Sequence, residues 1–184
     1  LNHRQEAIMQ QRHHRKWFFQ RSVIGGALAL LLCSPLAWSG EEASSALAMP
    51  QAVNDSPFSS EREAVIWRRE ELKDIESLVR QLRFDLINNQ DTEAAAPRLL
   101  ELQERASASH LLPAFIAGTH GSGSEARASI WEEWDEFTAG FTDLEDKIIQ
   151  LIDVAELENP RDTARALSEV GASCKSCHRS YRYD

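Results

Sequence analysis

The chain has 184 residues, a formal net charge of −9 at pH 7 and 42% hydrophobic residues. An acidic surface of this kind repels nucleic acid and anionic membranes, so neither is an expected partner. The length suits one globular domain with a terminal appendage.

Residues 1–39 have the layout of a cleavable secretory signal. Arg4, Arg12, Arg15, Lys16 and Arg21 oppose one acid, Glu6. An apolar run from Val23 to Cys33 follows, and then Ser34-Pro35-Leu36-Ala37-Trp38-Ser39. A basic region, an apolar region and a small-residue site, in that order, direct export. The expected cut lies after Ser39, with Ala46-Leu47-Ala48 as a second site. The apolar run is short of the ~20 residues that span a bilayer. No other stretch is long enough, so the mature form is expected in the periplasm and off the membrane. Cleavage removes five basic residues and one acid, taking the net charge from −9 down by four to −13. Cys33 leaves with the signal, and the remaining cysteines are Cys174 and Cys177.

Residues 40–59 are rich in Ser, Ala, Pro and Glu and read as a loose tail. Residues 60–184 carry helical periodicity throughout, with no useful β-type alternation, so the fold class is all-α. The first helix should start at Ser60, with Glu63 completing a capping box. Its seam is Val65, Arg68, Leu72, Ile75, Val79, Leu82 and Leu86, and Asn88-Asn89-Gln90-Asp91 ends it. The second helix should begin near Pro97, a residue suited to a first turn. It runs toward Leu111 and Leu112, and Pro113 kinks or ends it. Gly118-Thr119-His120-Gly121-Ser122-Gly123 is a loop. The third helix should open near Ser122–Ser124, with Glu125 in a second capping box. Its seam is Ile130, Trp134, Phe137, Phe141, Leu144, Ile148, Leu151 and Ala155, and Asn159-Pro160 stops it. The fourth runs from about Pro160 to Tyr181, with Leu167, Val170, Cys174, Cys177 and Tyr181 on one stripe. Sustained 3-4 spacing keeps each stripe against a partner at a shallow crossing angle. Four such helices with short links make an antiparallel four-helix bundle.

The chemistry lies near the C-terminus. Cys174-Lys175-Ser176-Cys177-His178 is C-x-x-C-H, the signature of covalent haem attachment. Two thiols three residues apart on a helix reach both vinyl groups of one porphyrin. The adjacent His178 then ligates the iron. A thioredoxin-like pair wants a β/α setting that is missing here. A zinc site wants four ligands, and beyond residue 39 the only histidines besides His178 are His110 and His120, with no third cysteine. A Cys174–Cys177 disulfide fits helix geometry poorly.

Other residues gain meaning from that haem. A sixth iron ligand is sought upstream, among Met49, His110 and His120. Met49 falls in the tail, and the two histidines read as solvated polar residues. The expected iron therefore has five ligands and one open face, which takes a diatomic gas. Arg68 interrupts an apolar seam. A buried guanidinium needs an anion, which a haem propionate supplies, or else it snorkels to water. Leu72, one turn later, points the same way and covers the iron's distal face. Arg182, four residues after His178, either lies beside the imidazole or complements the helix C-terminus. The tryptophans and phenylalanines read as core.

The run Val170-Gly171-Ala172-Ser173-Cys174-Lys175-Ser176-Cys177-His178, followed by Tyr181-Arg182, resembles the ending of the cytochrome c′ family. Gly118-Thr119-His120-Gly121, Glu125-Ala126-Arg127 and Ile130-Trp131 resemble its loop and third-helix start. Trp67-Arg68-Arg69-Glu70-Glu71-Leu72 is similar to its first-helix pattern. The resemblance implies a periplasmic monohaem protein, usually an antiparallel homodimer through the first two helices. It implies haem c on Cys174 and Cys177, iron on His178, and Leu72 over the distal site. It further implies Arg68 on a propionate, Arg182 near the proximal imidazole, and Arg69 and Glu125 near the haem edge. Family members bind nitric oxide and carbon monoxide and are implicated in electron transfer. Binding of NO or CO is thus the first expected function. The alternative is a six-coordinate, low-spin electron carrier to a basic redox partner, with His120 the first suspect as sixth ligand. An enzyme is not expected, because an apolar Leu72 replaces the distal acid–base pair a peroxidase wants.

Overall fold

The computed structural model describes residues 48–121 and 123–183, and the export signal read over residues 1–39 lies outside them. Helix α1 spans Glu61–Arg83 and continues as a π-helical turn over Phe84–Asn89. Helix α2 is Thr92–Arg105 and α3 is Ala108–Leu111. Helix α4 is Ser129–Glu132, α5 is Trp134–Glu156 and α6 is Pro160–Tyr181. No β-strand occurs among the described residues. The long helices α1, α2, α5 and α6 form the four-helix bundle; short links join α1 to α2 and α5 to α6, and a longer segment carrying α3 and α4 joins α2 to α5. Helix α2 packs on α1 and α5, and α5 packs along α6. Leu82, Leu102, Ile148, Leu151 and Val170 make the centre of the core, each at most 1% exposed. No helix among the described residues is long and apolar enough to cross a membrane.

Ser60 caps α1, its Oγ accepting from the Glu63 amide at 3.1 Å. The returning half of the expected capping box is displaced by one residue. Glu63 accepts from the hydroxyl and the amide of Ser59 rather than from Ser60. The buried face of α1 is Ala64, Arg68, Ile75, Leu78 and Leu82. Leu72, expected in the seam, is 37% exposed. Val65 and Val79 are half-buried. The π-helical turn widens the helix end, so that Asp85 and Leu86, adjacent in sequence, are both buried. Asp85 is paired there with Arg98 of α2 at 2.7 Å. Gln90, at φ 54°, then ends the helix where the sequence had placed the break.

Helix α2 begins five residues before the expected start at Pro97. The Asp91 carboxylate accepts from the Ala94 amide at 2.9 Å and caps the helix. Pro97 therefore sits in the interior, where it removes one backbone hydrogen bond. Burial of Ala95, Leu99 and Leu102 carries the helix past it. The helix also ends early, at Arg105. Ser107 starts the separate short helix α3, accepting from the His110 amide. Pro113 lies in the 3-10 turn Leu112–Ala114.

The third bundle helix also differs from expectation. Around Glu125 the chain is extended and forms a bridge, Ala126 to Arg182. The Arg127 amide donates to Tyr181 O at 2.9 Å and the Tyr183 amide to Glu125 O at 2.8 Å. These backbone groups are spent on the C-terminus, so no capping box forms at Glu125. Helix α5 opens only at Trp134. The fourth helix has the expected span, capped by Asn159 with Pro160 at its first position.

Residues 48–59 are not a loose tail. The Ala117 amide donates to Pro50 O at 2.8 Å. Val53–Asp55 forms a 3-10 turn, and the Phe58 ring lies 5.4 Å from Trp67. Farther along, Glu71 of α1 accepts from Arg105 of α2 at 2.7 and 2.9 Å. It also faces His110 Nε2 at 3.1 Å. Arg105 first, and then His110, hold the Glu71 carboxyl below its ordinary value of 4.5.

Two outcomes test this account. If Asp91 caps α2, Asp91→Ala costs about 1 kcal/mol, and Pro97→Ala adds about 1–3 kcal/mol, read from urea melts. A depressed carboxyl contributes stability that is present above its unfolded value and lost as pH falls through the folded one. Glu71→Gln should therefore flatten the decline in stability below about pH 4.5, measured as the urea midpoint across pH 2–7.

Candidate functional site

The last two turns of α6 carry Cys174, Cys177 and His178. Both thiols are free and half-buried. Burial, and then Cys174, push the Cys177 thiol up to about 11. Burial raises Cys174 as well. Both sulfurs are thus protonated at neutral pH, unlike the low-pKa thiolates of redox cysteines. The His178 imidazole is shifted the other way. Burial and then the Arg182 charge lower its pKa, while Glu76 and Glu125 oppose them. A lowered value keeps the ring neutral at pH 7, the form that ligates metal.

Cys177 and His178 face a cavity of about 130 Å³ between α1, α5, α6 and the segment before α4. Its walls are apolar, from Leu72, Phe115, Ile130, Phe137, Phe141 and Tyr181. Its rim is charged, from Arg68, Arg69, Lys73, Arg182, Glu76 and Glu125. Seven of the eight residues singled out in the sequence line this cavity. The eighth, Cys174, stands one turn before Cys177 on α6. Leu72 leaves the core seam because it belongs to the cavity wall.

Arg68 is held by the loop before α4. It is 2% exposed, and among the described residues no carboxylate meets it. Nη1 donates to Ala114 O at 3.0 Å and to Thr119 Oγ1 at 2.7 Å. Nη2 donates to Thr119 O and to Ser124 Oγ. The guanidinium lies 5.0 Å from the Phe115 ring centroid and 5.8 Å from that of Trp131. Desolvation lowers its pKa to about 10, so it stays charged at neutral pH. Within the protein its hydrogen bonds are met by neutral oxygens. Its neighbour Arg69 donates to Gly123 O at 3.0 Å and pairs with Glu125 at 3.5 Å. The Arg69 Nε is buried and has no acceptor.

The alternative iron ligands lie elsewhere. His120 is exposed, its ring 5.6 Å from Trp131, in a surface groove with Glu61 and Ile66. His110 sits edge-on to Trp67 and against Glu71. Neither histidine, nor Met49, lines the cavity. Sequence reading missed Lys73 and Glu76, which follow Arg69 and Leu72 at i+4 and could have been found from that spacing. It also missed Phe115, which lies in irregular chain after Pro113 and carries no periodic signal. Trp131 was read as core, and its indole N–H finds Phe115 O at 3.0 Å.

Two protonated thiols and a neutral imidazole on one helix, beside an apolar cavity with a cationic rim, fit an amphipathic macrocycle with acidic edge groups. A helical bundle built this way is the class of four-helix c-type cytochromes. A family model described as Cytochrome C′ matches residues 63–182. The chain belongs to the cytochrome c′ family, whose members carry one covalently bound haem c with iron. Cytochrome c′ of Rhodospirillum rubrum is 32% identical over 81 residues, 43% of this chain and 55% of that protein. The chain thus spans about half the length of that curated relative. Two solved structures of cytochrome c′ from Alcaligenes xylosoxidans are also similar. A variant with carbon monoxide bound has a TM-score of 0.60 at 26% identity, covering 69% of this chain and 99% of that one. A ferrous variant with bound NO has a TM-score of 0.61 at 25% identity, covering 69% and 98%.

Raised thiol pKa values give a direct test on the protein made without haem attachment. Alkylation of Cys174 and Cys177 by iodoacetamide at pH 8, followed by mass spectrometry, should run about tenfold or more slower than for an unfolded peptide of the same motif. The Cys177 rate should keep climbing with pH toward about 11.

Proposed function

We propose that this chain binds a diatomic gas, nitric oxide or carbon monoxide, at a haem c held through Cys174 and Cys177, with His178 as the one protein ligand to iron. When bound, the haem supplies an iron with one coordination position free for such a gas. The observation that carries the reading is the composition of the cavity. Besides Cys177 and His178 it offers apolar side chains, arginine, lysine and glutamate, and neither methionine nor a second histidine. Leu72 stands in its wall as an apolar guard that excludes bulky or strongly polar ligands. Its neutral imidazole suits His178 to ligate iron, and the Arg182 charge helps keep it neutral. Arg68, Arg69 and Lys73 put positive charge where haem carboxylates need it. The chain is read as a binding protein rather than an enzyme.

Electron transfer is a second reading, supported by the exposure of His178 at the cavity edge and by the acidic surface, which suits a basic redox partner. Export to the periplasm, read from residues 1–39, belongs to the same proposal. So does a homodimer through α1 and α2, supported by the exposed Ile66 and Phe84 on the α1 side and Leu100 on α2.

The test is the visible spectrum of the protein with haem attached, ferric and ferrous, before and after adding gas. A high-spin spectrum that shifts with carbon monoxide or nitric oxide is expected. Leu72→Ala should speed carbon monoxide association about tenfold, equal to about 1.4 kcal/mol of barrier. A sharp low-spin ferrous spectrum indifferent to gas would sink the proposal and make the protein a six-coordinate electron carrier.

A further inference from the structure

We infer that the strap of residues 50–58 is a positioning element for the cavity wall, holding Phe115 in place and keeping water from that side of the site. This rests on the haem reading above, but not on the binding of gas.

Phe115 and Ile116 lie in chain that is neither helix nor strand. What fixes them must come from outside the segment. Arg68 donates to Ala114 O at 3.0 Å, and the Trp131 indole donates to Phe115 O at 3.0 Å. The third tie comes from the strap, because the Ala117 amide donates to Pro50 O at 2.8 Å. Pro50 is buried. Ile116, beside the tied residue, is 0% exposed yet stands apart from the main core. A buried backbone pair of this kind is costly to leave open.

The strap reaches the other end of the segment through rings. Phe58 lies 5.4 Å from Trp67, and Trp67 lies 5.1 Å from His110 of α3. Helix α3 leads directly into the turn Leu112–Ala114. The strap therefore brackets residues 110–117. Phe115 sits inside the bracket, with its ring 5.0 Å from Phe137 in the cavity wall.

The strap has a shape of its own. The Asp55 carboxylate accepts from the amides of Gln51 and Ala52 at 3.1 and 3.0 Å, closing the turn just after Pro50. The Ser56 hydroxyl donates to Val53 O at 2.8 Å. Asp55 does not line the cavity, so a change there reaches the site only through the strap. The strap also precedes residue 63, where the family match begins. Its hold on the wall thus comes from sequence outside the shared domain.

The experiment uses the full chain with haem attached. Hydrogen exchange of the amides at 51–56 reports the strap, and exchange at 115–117 reports the wall. The haem midpoint potential reports water at the site. Asp55→Ala removes the acceptor of two amides. It should speed exchange in both stretches, about fivefold at Ala117, as for one lost hydrogen bond. It should also lower the midpoint potential, because admitted water favours the more highly charged ferric state. Asp55→Asn keeps an oxygen in the same place and should restore both values. Should Asp55→Ala leave residues 51–56 protected, Phe58→Ala, which removes the ring against Trp67, serves in its place. The inference is overturned if exchange at 115–117 stays at the wild-type rate once the strap is freed. It is overturned equally if that exchange rises and the potential does not move, since the strap would then be structural only. Neither readout involves gas, so a protein indifferent to carbon monoxide would defeat the gas-binding proposal without deciding this one.

Discussion

A guanidinium cation buried among neutral oxygens costs free energy unless all of its donors are used. Arg68 comes close to that condition, placing four of its five N–H groups on Ala114, Thr119 and Ser124. The loop between α3 and α4 is shaped by this requirement. Phe115 reaches the cavity wall because its neighbour Ala114 is held, and Ser124 is withheld from capping a helix. One side chain in the first helix thereby sets the form of a segment about fifty residues away in sequence.

The cavity has two chemical halves. The bundle supplies apolar walls from α1, α5 and α6, which suit the flat body of a macrocycle. Arg69, Lys73 and Arg182 gather at its mouth, although the chain as a whole is acidic. A local positive field on a negative protein requires deliberate placement. It comes from i+4 succession along α1 and from the bridge that folds Arg182 back beside Glu125. The rim is not purely cationic, since Glu76 and Glu125 alternate with the bases and temper the field felt by His178.

Much of this was legible in the residues alone. The α6 limits were readable because Asn159-Pro160 is an unambiguous start and the stripe to Tyr181 is unbroken. The candidate haem-attachment residues stood out because C-x-x-C-H is a spacing with a geometric meaning. The start of α2 was misjudged because Pro97 looked like a first-turn residue, while Asp91, the real cap, hid in a polar run read as a terminator. The early end of α2, at Arg105, and the break near Glu125 were invisible for a different reason. Both depend on partners far away in the chain, Glu71 and Asp74 in one case and Tyr181 and Tyr183 in the other. Arg68 was picked out correctly as anomalous. Its protein partners lie in a loop without periodicity, so the carbonyls and hydroxyls that hold it could not be read from spacing.

The bridge between Ala126 and Arg182 joins the end of α6 to chain about fifty-six residues earlier. It consists of two backbone bonds beside the exposed Tyr183. Such pairings open locally without unfolding the core. The Arg68 side of the cavity, in contrast, is closed by a buried fork of hydrogen bonds. The pocket therefore has a stiff jamb and a soft one.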